Sequence, residues 1–100
     1  MVVAEISVVP VGTGSPSVSR YVADCIKVLG NSGLKYEVTA MGTIVEGELD
    51  AVLAAAKQMH EVPFNTGAER VVTTVKIDER RDKQLSMKGK VEAVDRHLKK

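Results

Sequence analysis

The stretch Leu34–Asp50, LKYEVTAMGTIVEGELD, decides the fold. Leu34, Tyr36, Val38 and Ala40 alternate with Lys35, Glu37, Thr39 and Met41, so a strand with one apolar face is expected over Leu34–Met41. Gly42 allows a tight reversal, and TIVEGE (Thr43–Glu48) reads as a third, shorter strand. Two strands joined so closely form a hairpin, and a hairpin at mid-chain makes the sheet antiparallel at that point.

The other elements follow on either side. Upstream, Val3–Val11 alternates as a strand, with Ala4, Ile6 and Val8 on one face and Val3, Glu5, Ser7 and Val9 on the other; Pro10 marks its end. Ser17 is a good N-cap for a helix running to about Leu29, whose apolar stripe is Val18, Tyr21, Val22, Cys25, Ile26 and Leu29. GNSG, Gly30–Gly33, stops it. Downstream, a second helix is expected from Leu49 to about His60, with Leu49, Val52, Leu53, Ala56 and Met59 inward and VPFNTG as its breaker. Arg70–Asp78 is the fourth strand. A last helix, roughly Ser86 to Leu98, carries a thin stripe of Met87, Val91, Val94 and Leu98. The order predicts an α+β protein: a ferredoxin-like βαββαβ sandwich with an extra C-terminal helix, as a single domain over residues 1–100.

Composition agrees with one folded domain: 100 residues, 44% hydrophobic and 27% charged. No apolar run approaches the roughly 20 residues that span a bilayer, and the N-terminus lacks the basic region of a signal peptide. Cys25 is the only cysteine, so no intrachain disulfide is possible and a reducing, cytoplasmic setting is favoured. Net charge is +1 but uneven: −4 over residues 1–69 and +5 over residues 70–100. Acids alternate with bases in the basic third, which limits any positive field and speaks against a nucleic-acid face.

The predicted sandwich covers one sheet face with helices and leaves the other open. That open face mixes Glu5, Ser7, Glu37, Thr39, Thr74 and Lys76 with Val3, Val9, Met41 and Val72. It is too apolar for water and too polar for a core, so a symmetric oligomer paired through the sheet is expected, with ligand sites at its edge.

Known chemical motifs fit poorly. In VGTGSPS, Val11–Ser17, the third glycine of a dinucleotide loop is missing and no lysine follows as in a phosphate-binding P-loop. The two glycines and Pro16 read as a bend into the helix, although the hydroxyls of Thr13, Ser15 and Ser17 could still hold an anion or a hydroxyl. Acylphosphatases place an arginine near the position of Arg20, but the asparagine they use on the central hairpin is absent. The two central strands lack the aromatics on which RNA-recognition domains stack bases. His60 has no second histidine at 64, which is Phe64, so a zinc site is not expected. No catalytic set assembles, and neither a cofactor nor a metal is called for.

Three motifs in order, PVGTGSPSVSRYV, YEVTAMGTIVEGELD and ERVVTTVKIDERRD, resemble the thiamine-binding-protein-like family of small ferredoxin-like proteins. The resemblance covers nearly the whole chain. It implies a non-catalytic cytoplasmic protein that binds thiamine or its hydroxymethylpyrimidine part and forms a homotetramer, a dimer of dimers paired through sheet faces. Pro10, Gly12, Thr13, Ser17, Ser19 and Tyr21 match the first motif. Met41, Gly42, Thr43, Glu46 and Gly47 match the second, and Arg70, Thr73, Lys76, Asp78 and Arg80 the third. An aminopyrimidine needs hydrogen-bonding groups, and a thiazolium favours carboxylates. The expected ligand residues are therefore Thr13, Ser17, Thr39, Met41, Thr43 and Glu46, with the glycine loop as one wall of a small pocket and the Met-Gly-Thr turn with Glu46 as the other. Two alternatives stand beside this: an acylphosphatase-like or other anion-binding enzyme using the Gly12–Ser17 loop, and a structural or regulatory oligomer without a dedicated ligand.

Overall fold

The computed structural model describes residues 1–12, 14 and 19–99. The elements are β1 (Val2–Val11), α1 (Ser19–Gly30), β2 (Lys35–Thr39), β3 (Gly42–Gly47), α2 (Leu49–Asn65), β4 (Arg70–Glu79) and α3 (Met87–Leu98). The strands form one antiparallel sheet in the order β2-β3-β1-β4. This is the expected ferredoxin-like sandwich with an added C-terminal helix. The expected Ser17 cap lies outside the described residues. Gly12 and Gly14, with φ of 77° and 79°, occupy the left-handed region and turn the chain out of β1, as a bend requires.

Register assigns the two faces. Ile6 pairs with Thr43 and Val75, and Ala4 with Val45 and Ile77, so these residues point toward the helices. The core lies there: Val2, Ala4, Ile6, Val8 and Val45 from the sheet against Cys25, Leu29, Val52, Ala55, Ala56 and Met59. On the opposite face, successive cross-strand rows read Lys35, Glu46, Val3, Asp78; then Glu37, Ile44, Glu5, Lys76; then Ser7 beside Thr74 and Val9 beside Val72. Neither α1 nor α2 covers this face.

Several expectations are corrected. Pro10 does not end β1; it sits inside the strand opposite Val71. β2 stops at Thr39, and Ala40 and Met41 form the turn. Leu49 and Leu53 are exposed. The buried stripe of α2 is Val52, Ala55, Ala56, Met59 and Pro63, and Leu53 lies about 100° round the helix from Val52. VPFNTG does not break α2, which runs through Pro63 to Asn65. α3 starts behind an N-cap, with the Ser86 hydroxyl accepting from the Gly89 amide at 3.0 Å. Its stripe stays exposed at Val91, Val94 and Leu98. An ion pair between Lys90 and Asp78 ties α3 to β4. Among the described residues no helix is long and apolar enough to cross a membrane.

Candidate ligand-binding site

The strands of the sheet differ in length, and the mismatch leaves a notch. β1 runs ten residues to Val11 and stays paired with β4 to its end. β3 begins only at Gly42, and its ladder with β1 ends at Ile6 and Thr43. Beyond that point the flank of β1 carries no ladder to β3. A cleft of about 560 Å³ opens here. Its floor is Ile6, Ser7, Val8 and Val9. One wall is α1, through Ser19, Val22, Cys25 and Ile26. The other is the hairpin from Val38 to Thr43, and Met59 of α2 closes the bottom.

The hairpin turn is pinned by one side chain. The Thr39 hydroxyl donates to the Gly42 carbonyl at 2.8 Å and accepts from the Met41 amide at 3.3 Å. Gly42 lets the turn approach β1 closely: a Cβ there would stand 3.2 Å from the Glu5 side chain and 3.3 Å from the Ile6 carbonyl. Thr43 is only 4% exposed and its hydroxyl lines the cleft, yet it has no hydrogen-bond partner among the described residues. No buried side-chain N or O among those residues is both sealed from solvent and unpaired, so the Thr43 hydroxyl is open to whatever enters the cleft. A hydroxyl open to solvent is satisfied by water, and a ligand that displaces that water must replace its hydrogen bond.

Cys25 also faces the cleft. Its thiol donates to the Met59 carbonyl at 3.3 Å. Burial, with the nearby Asp24 charge, pushes the thiol up to about 11. It is a neutral, apolar wall at physiological pH and not a nucleophile. No charged side chain of a described residue lines the cleft. Arg20 is exposed at the start of α1 and is not among the lining residues.

The structure thus brings Thr39, Met41 and Thr43 together and separates Glu46 from them. Thr13 and Ser17 lie outside the described residues. Glu46 was expected in the wall beside Thr43. It projects from the opposite sheet face, between Val3 and Lys35, because residues three apart on one strand point to opposite sides. It is 8% exposed and has no ion pair or hydrogen bond among the described residues. Ser7 and Ser19 of the cleft were not in the expected set. Ser19 carried a signal, as part of the S-x-S-x-Y-V motif. Ser7 carried none, since alternation assigned it to the open face and nothing local says that β3 stops short of it. No group of three or more His, Cys, Asp or Glu side chains able to hold a metal gathers among the described residues.

Residues 4–95 match the family described as thiamine-binding protein. The chain belongs to this family. Among curated relatives it is similar to the UPF0045 protein YqgV of Bacillus subtilis, 43% identical over 98% of both chains. The solved structure of MJ1052 from Methanocaldococcus jannaschii has a TM-score of 0.88 at 46% identity, covering 94% of this chain and 95% of that one. A proposed thiamine biosynthesis/salvage protein from Thermotoga maritima superposes with a TM-score of 0.78 at 26% identity, over 93% of this chain and 97% of that one. Both superpositions extend over more than nine-tenths of this chain.

Proposed function

We propose that this family member binds the uncharged aminopyrimidine end of thiamine, or free hydroxymethylpyrimidine, in the notch cleft, without catalysing a reaction on it. The observation that carries the reading is Thr43, a nearly buried hydroxyl that lines the cleft and lacks a partner among the described residues. Thr39 has its hydroxyl engaged by the turn, whereas Thr43, the most buried of the cleft's hydroxyl residues, can recognise a ring nitrogen or amino group. The other walls are largely apolar and suit a flat ring, and the volume lies within the range for small ligands. A cation or phosphate would find no countercharge among the described lining residues. The thiazolium end of thiamine is accordingly placed at the mouth, and phosphate esters gain nothing inside. The family's thiamine association points the same way.

The assembly reading rests on the open sheet face. Val9 and Val72 are paired there and exposed, and Glu46 sits almost covered beside its cross-strand neighbour Lys35 with no ion pair among the described residues. Burying such a carboxylate is unfavourable unless a cation meets it. A second copy paired through this face, and four copies as a dimer of dimers, would cover the valines and bring lysines to Glu46. A cytoplasmic setting accords with the single reduced cysteine.

A thermal-shift and calorimetric series with hydroxymethylpyrimidine, thiamine and its phosphates tests the ligand. The expected order has the pyrimidine and thiamine bound alike and no gain from phosphate. Binding of inorganic phosphate or acyl phosphates in preference to the pyrimidine would overturn it.

A further inference from the structure

We propose that Met41 is a movable lid over the notch cleft, and that oxidation of its thioether to the sulfoxide closes the site to ligand; the proposal builds on the cleft being the ligand site. Met41 is 82% exposed and stands at the rim of the cleft, among its lining residues. The backbone on either side of it is held by the Thr39 hydroxyl, so the turn is anchored and the side chain is the free part. An unbranched thioether with three rotatable bonds can reach across a small mouth. The wall it stands beside is apolar, with Ile6, Val22 and Val38 along the cleft. Folding Met41 over an occupant removes apolar surface from water on both partners.

The same exposure makes Met41 the first target for a hydroperoxide. Met1 is 46% exposed, Met87 is half-buried and Met59 is buried at the cleft bottom. Cys25 is buried and hydrogen-bonded, and its thiol holds its proton far above neutral pH, so little thiolate is present to compete. In the reaction the Sδ lone pair attacks the terminal peroxide oxygen. The O–O bond breaks, the S–O bond forms, sulfur loses two electrons, and the hydroperoxide leaves as alcohol or water. A polar sulfoxide then stands where the lid must lie against an apolar wall.

The test is hydrogen peroxide oxidation followed by peptide mass spectrometry, run without ligand, with hydroxymethylpyrimidine and with benzyl alcohol, a neutral probe of the cleft. Met41 should oxidise before Met1, Met87 and Met59, and an occupant should slow Met41 at least threefold while leaving Met1 unchanged. The oxidised protein should bind at least tenfold more weakly, and a methionine sulfoxide reductase should restore binding. Met41→Leu should show the same affinity before and after peroxide treatment, and Met41→Gln, of similar length but polar, should bind weakly without peroxide. Protection by benzyl alcohol but not by the pyrimidine would keep the lid and discard the pyrimidine reading. Failure of both to protect Met41, or oxidised protein that binds as well as reduced, would overturn the lid.

Discussion

The Cys25 thiol donates to the one carbonyl of α2 that Pro63 deprives of its helical partner, that of Met59. In a regular helix the amide of residue 63 would bond to the carbonyl of residue 59, and proline has no amide. α2 runs on past its proline to Asn65, and the same bond ties α1 to α2 beside the cleft.

Removing the thiol should leave the Met59 carbonyl unpaired. Cys25→Ala is expected to cost about 1–3 kcal/mol, as for other buried groups that lose a partner. Pro63→Ala supplies an amide to the same carbonyl, so the cost of Cys25→Ala should shrink in that background. A double-mutant cycle by urea denaturation measures the coupling, and strictly additive effects would show that the two residues do not share the carbonyl.

The raised pKa of Cys25 makes stability depend on pH at the alkaline end. The thiol ionises near 9 in the unfolded chain and near 11 in the fold. Between those values the unfolded state binds fewer protons, so stability is full below about pH 9 and falls as pH rises toward 11. Urea midpoints across that interval should decline for the parent and decline less for Cys25→Ala. In the native protein a thiol reagent at pH 8 should react far more slowly than in urea.

Thr43→Val keeps the shape of the side chain and deletes its hydroxyl. Because that hydroxyl has no partner among the described residues, the variant should be at least as stable as the parent in denaturant titrations. Calorimetry with hydroxymethylpyrimidine should show affinity lower by about tenfold, the worth of one hydrogen bond of about 1.4 kcal/mol. A variant that binds unchanged would remove Thr43 from the site.

Val72→Asp places a carboxylate on the open face, next to Val9 in register. The residue is already 48% exposed, so the isolated fold should tolerate the change. In a sheet-to-sheet assembly it would bury an unpaired charge at a cost of about 3–5 kcal/mol. Sedimentation should show smaller species. An unchanged assembly would locate the contact elsewhere, with the exposed stripe of α3 the next surface to test.

The sequence by itself determined the periodicities, and through them the fold. Alternation over Leu34–Gly47 made a hairpin, and alternation over Val3–Val9 correctly sorted Ala4, Ile6 and Val8 into the core. These are local properties, set by which way each Cβ points. The same rule separates Thr43 from Glu46, since an odd spacing on one strand puts them on opposite faces. Only the tertiary structure decided the rest. That α2 runs past Pro63, with the released Met59 carbonyl taken up by a thiol from another helix, is seen only in the packed fold. Whether Leu53 or Ala55 faced inward depended on how α2 lies on the sheet. The cleft exists because β3 stops where β1 continues, a difference in length between strands that meet only on folding. Ser7, Ser19, Cys25 and Met59 become neighbours of one cavity through that mismatch, and no spacing along the chain encodes a gap between two partners.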